Sequence, residues 1–196
     1  MFANHYANET SDRRIFSTVA ILSILMLATR GAHFSGLQAL PEASWMIFMI
    51  AGLLLQPWSF IWFMSLAVGI DAYAFSFGGV PGTCFSIAYG MLIPAYFSMW
   101  IAGRLAASHF TTNVTGLAGF FIYATVGTLT CELISSGSFY LWSGNFEPTF
   151  REFVIRELRY APATISSSAF WAVVFVTSTT LRRLYWQTKS IMSQRG

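Results

Sequence analysis

Between Trp58 and Ile70 the chain reads "WSFIWFMSLAVGI", thirteen residues without a single charge, and this stretch lies in one of six apolar runs. They occupy about 15–31, 43–56, 58–74, 85–102, 115–136 and 163–181. A helix that crosses a bilayer needs roughly 20 mainly apolar residues. Charged residues make up 10% of the chain, where a soluble domain carries about a quarter. A surface so poor in charge cannot face water on all sides. The pattern predicts an all-α integral membrane protein with six transmembrane helices in a single domain, 1–196. Only "QPWS" separates the second run from the third, so the chain must reverse at Pro57.

Orientation follows from lysine and arginine, which are enriched in cytoplasmic loops. With the N-terminus inside, Arg13, Arg14, Arg104, Arg182, Arg183, Lys189 and Arg195 fall on the inner side. Arg30, Arg151, Arg156 and Arg159 fall outside, three of them alternating with acids in "REFVIRELRY". Both termini are expected in the cytoplasm, with a polar N-terminal tail over 1–14 and a basic C-terminal tail over 182–196. The first run follows two arginines as a signal peptide would. It ends in "ATRGAH", a poor cleavage site, and it is read as a retained span. The net charge of +3 is not gathered on a soluble face, so no nucleic-acid partner is expected, and the partner that composition implies is the lipid bilayer. Two cysteines cannot build a disulfide framework.

This topology places the long irregular connections, about 71–84 and 138–162, on the outer face. Irregular backbone near membrane depth is tolerated where protein buries it or where it lines a cavity. In "GGVPGTCFSIAYG", residues 78–90, Cys84 stands between a broken turn and an apolar helix. It is either a small apolar filler or a thiol pushed toward thiolate by the helix N-terminus. A thiolate suits a soft or late transition metal, but no ligand cluster surrounds it, so any metal would have to bring its other ligands. Asp71 either marks the membrane interface or anchors a polar ligand. Tyr89 is belt material or a flat amphipathic face for a large ring. Glu132 is an ionisable group inside the fifth run, either site wall or interfacial, and Cys131 beside it reads as packing.

Residues 148–161 form an amphipathic helix expected on the outer surface and ended by Pro162, either a connector or a lid. Tyr140, Trp142 and Asn145 lie in "SFYLWSGNFE", read as a turn-rich outer loop whose aromatics could cradle a ligand or sit in the belt. His33 and His109 fall on opposite faces and cannot share a metal. No P-loop, GxSxG, HExxH or CxxC is present. The chain cannot hydrolyse ATP alone, and pumping would need a partner.

Six short spans in about 200 residues resemble the substrate-binding S-components of energy-coupling-factor (ECF) vitamin transporters. The stretch "GIDAYAFSFGGVPGTCFSIAYG", residues 69–90, resembles the BtuM-type, cobalamin-specific S-components of bacterial inner membranes. The resemblance implies uptake of vitamin B12 from the periplasmic side, with Cys84 as the axial ligand of the corrinoid cobalt. It implies that Asp71 and Tyr89 contact the corrin, with the loops around Tyr140 and Trp142 closing over it. Corrin supplies four equatorial nitrogens, so one thiolate completes an axial position without a cluster. A sulfur ligand also favours loss of cyanide from the opposite face, so decyanation of cyanocobalamin is an expected accessory activity of Cys84. The implied partners are an ECF coupling subunit with its ATPases, or none. Ala28 and Ala32 have the AxxxA spacing of the usual docking surface but sit at the outer end, which suits a solitary protein. The residues also admit a membrane thiol enzyme with Cys84 as nucleophile and His33 as base, or a structural subunit with no ligand.

Overall fold

The computed structural model describes residues 2–30, 40–77, 87–144 and 149–193, with side-chain detail beginning at Asp12. Cys84, Ala32, His33, Asn145, Pro148 and Arg195 lie outside the described residues. Among those described, every regular element is a helix: α1 Phe2–Arg30, α2 Ser44–Leu54, α3 Trp58–Phe77, α4 Ile87–Gly90, α5 Leu92–Ala107, α6 Val114–Trp142 and α7 Phe150–Ser193. Three of them, α3, α6 and α7, are long and apolar enough to cross a membrane.

The remaining helices answer to packing. At 11 residues α2 rises only about 16 Å, against a hydrocarbon core of about 30 Å. A helix apolar on every side must be buried on every side, and Met46 to Leu53 all are. α2 is the central rod of the bundle, touched by α1, α3, α5, α6 and α7. Its tightest neighbour is α5. A Cβ added to Gly52 would strike the carbonyl of Trp100, and one added to Gly103 would strike the carbonyl of Met49. Each helix contributes a glycine where the other's backbone passes, the small-residue device by which membrane helices approach closely. Around this crossing lies an aromatic core. Phe48 stacks on Tyr96 at 4.7 Å and meets Phe63 edge-on at 6.4 Å. At the far end of α2 the guanidinium of Arg104 donates to the carbonyl of Leu55 at 3.1 Å and covers the Trp100 ring.

Two elements run further than their sequence suggests. α6 continues through Tyr140 and Trp142, so these aromatics stand on a helix and not in a loop; it stops where Gly144 takes a left-handed φ of 71°. α7 carries Pro162 inside it, so the amphipathic segment from Phe150 leads without a break into the apolar run. Proline removes one backbone hydrogen bond. Ending the helix there would leave several N–H and C=O groups without their helical partners, which costs more. The polar segment before Arg13 is likewise helical from Phe2.

Candidate functional site

At one end of the bundle, α1 delivers Arg30 as its last residue, and the guanidinium gathers four other elements around it. Its Nε donates to Asp71 Oδ1 at 2.6 Å and its Nη2 to Asp71 Oδ2 at 2.5 Å, a side-on bidentate pair linking α1 to α3. Nη1 donates to the Tyr96 hydroxyl on α5 at 2.7 Å and to Ser44 Oγ at the start of α2 at 3.1 Å. It also reaches Glu42 Oε1 at 3.2 Å. The phenol of Tyr89 on α4 donates to Asp71 Oδ2 at 2.6 Å. Arg30 is 7% exposed and Asp71 4%.

The geometry defines what each member can do. A carboxylate offers about four lone-pair directions, and Arg30 and Tyr89 occupy three of those on Asp71. Asp71 is therefore a poor open anchor and a good positioning group, since it fixes the phenol of Tyr89, which is half-buried. Arg30 has a planar fork that lysine lacks, and only such a fork can hold a carboxylate side-on while its far nitrogen grips a phenol and a hydroxyl.

The structure thus brings Asp71 and Tyr89 into direct contact, and the chain between α3 and α4 is the segment that contains Cys84. Tyr140 is engaged elsewhere. Its hydroxyl donates to the Thr149 carbonyl at 2.9 Å and accepts from the Thr149 N–H at 2.8 Å, a clasp between the end of α6 and the start of α7. Trp142 stands half exposed at the last residue of α6. Glu132 is buried and accepts from Ser136 Oγ at 2.9 Å, with Cys131 fully buried beside it. His109 lies in the α5–α6 connection, its Nδ1 2.8 Å from Ser108 Oγ.

Arg30, Glu42, Ser44 and Tyr96 are the members that sequence reasoning missed as site residues. Arg30 entered only the charge count for topology. The available signal was an arginine and an aspartate each closing an apolar run, because charges at such places seek one another. Two clefts adjoin this end of the bundle. One of about 260 Å³ lies between Glu42, Trp45, Thr164 and Ser167. The other, of about 250 Å³, lies between Ser136, Tyr140, Arg156 and Glu157. Among the described residues, no three His, Cys, Asp or Glu side chains form a group that could hold a metal ion. Compared with known proteins, the sequence matches no family model and no curated protein.

Proposed function

We propose that this protein takes up cobalamin across a bacterial inner membrane, in the manner of BtuM-type S-components, with the Arg30–Asp71–Tyr89 cluster at its outer end as part of the substrate site. The observation that carries the reading is the 2.6 Å hydrogen bond between Tyr89 and Asp71, which puts side by side the two residues that flank the Cys84 segment. In this reading the Cys84 thiolate ligates the cobalt of the substrate. Tyr89, held by Asp71 and through it by Arg30, meets the corrin edge. The two clefts are each smaller than the usual ligand site of about 300–1,000 Å³. They would take amide-bearing arms of the macrocycle while its plane lies over the bundle end, with Tyr140 and Trp142 at the rim.

The chain would pass the membrane six times with both termini in the cytoplasm. The second passage would be α2 with its flanking residues. Ala43 and Leu55 at its ends are buried, and short or irregular backbone at depth is tolerable when protein surrounds it. Cyanide would leave cyanocobalamin as the anion, keeping its electron pair, when sulfur binds the opposite face. That ligand exchange changes no oxidation state.

The test is optical. Protein purified from cells supplied with cobalamin should carry a corrin spectrum, and Cys84→Ala should lose the sulfur-to-cobalt feature along with most of the bound corrinoid. Colourless wild-type protein, or spectra identical in the two, would refute the proposal. Growth of a strain that depends on imported cobalamin should fail in parallel with Cys84→Ala.

A further inference from the structure

α7 is longer than a membrane requires. Its 44 residues rise about 66 Å, and the charge-free stretch 160–181 within it already spans the hydrocarbon core of about 30 Å. The turns from Arg182 to Ser193 therefore lie at or beyond the headgroups. They are not uniformly polar. At 100° per residue, Leu181, Leu184, Tyr185, Thr188 and Met192 fall on one arc, while Arg182, Arg183 and Lys189 fall outside it. The four large apolar members of that arc are each more than half exposed. The basic residues meet no acid nearby in sequence, for the chain has no Asp or Glu after Glu157. Lys189 lies over the Trp186 ring at 5.3 Å, pairing a cation with an aromatic of the kind that settles at headgroup level.

We propose that α7, continuous to Ser193, bends at the headgroups near Leu181 when anionic phospholipid is present, so that residues 181–193 dock as a membrane-surface helix with the apolar arc sunk into the headgroup–acyl boundary and the three cations over the phosphates. The need to hold cytoplasmic loops in place explains the basic residues alone, but not an apolar arc beside them. A second copy of the chain would press two cationic surfaces together, which like-charge repulsion opposes. A surface of anionic lipid satisfies both features at once. The choice of leaflet rests on the topology proposed above, whereas the docking does not.

The full-length protein, with Cys84→Ser, Cys131→Ala and a spin label at Thr188→Cys, is placed in nanodiscs of phosphatidylcholine alone or mixed with phosphatidylglycerol. In the anionic discs the label is expected at the headgroup–acyl boundary, shielded from a water-soluble relaxing agent. In the neutral discs, or in the anionic discs at high salt, it is expected in water. Replacing Arg182, Arg183 and Lys189 by Gln should weaken docking by about fivefold for each charge removed. A label equally wet, or equally shielded, in both lipid compositions would overturn the proposal. So would dipolar broadening between labels on two copies, which would assign the arc to self-association. The salt titration needs no substitution in the basic residues, so it decides the matter even if the triple variant misfolds.

Discussion

A guanidinium that reaches four side chains across four other parts of the fold concentrates risk in one residue. Burying the Arg30–Asp71 pair is not in itself strong evidence of stabilisation, because desolvation offsets much of the attraction. Removing one partner is different, since it leaves an uncompensated charge among apolar groups. Arg30→Met should lower unfolding stability by about 3–5 kcal/mol, read as a lower thermal midpoint of the purified protein. The double variant Arg30→Met/Asp71→Leu should recover most of that loss, and equal losses in the two would contradict the pairing. Tyr89→Phe keeps the ring but removes the 2.6 Å hydrogen bond. It should weaken corrinoid retention with a smaller effect on stability than Arg30→Met, because net hydrogen bonds to charged groups contribute about 1.5–3 kcal/mol.

At the scale of elements, the α2–α5 crossing is specified by two glycines. Gly52→Ala and Gly103→Ala each place a methyl on the partner helix's backbone carbonyl. Carbonyls cannot swing aside as side chains do, so the helices must part, at a cost of about 1–3 kcal/mol or more. Gly69→Ala in α3 and Gly119→Ala in α6 are the controls. An added methyl there meets nothing within 4 Å, and better helix propensity should leave stability unchanged or raise it by up to about 1 kcal/mol. Thermal unfolding of the four variants in one detergent separates the two classes. If all four behave alike, the close approach of α2 and α5 is wrong.

For the whole molecule, the pertinent question is which ends of the helices share a side. Arg30, Ser44, Asp71, Tyr89 and Tyr96 meet at one end, while Ser108 and His109 belong to the connection between α5 and α6. On a background lacking the two native cysteines, Ser143→Cys should react with a membrane-impermeant thiol reagent added from outside the cell. Ser108→Cys should react only after the membrane is opened. The reverse pattern would invert the topology, and labelling of both from outside would break it. Much of the architecture was legible beforehand: the apolar runs at 58–74, 115–136 and 163–181 lie on the three long helices α3, α6 and α7. The centrality of α2 was not, since 43–56 reads as one more span until its neighbours are known. Of the site, Asp71 and Tyr89 stood out by position, but Arg30 looked like an ordinary loop cation.

Hydropathy belongs to each residue separately and sums along the chain. For that reason the sequence by itself determined that this protein has segments long and apolar enough to cross a bilayer, that it is helical, and where its long apolar elements lie. Partnership and burial belong to pairs of residues distant in sequence, and only the tertiary structure decided them. It joined Arg30 to Asp71 across 41 residues and set α2 at the centre. It also carried α7 through Pro162, because one missing backbone hydrogen bond costs less than the several left unmade at a helix end.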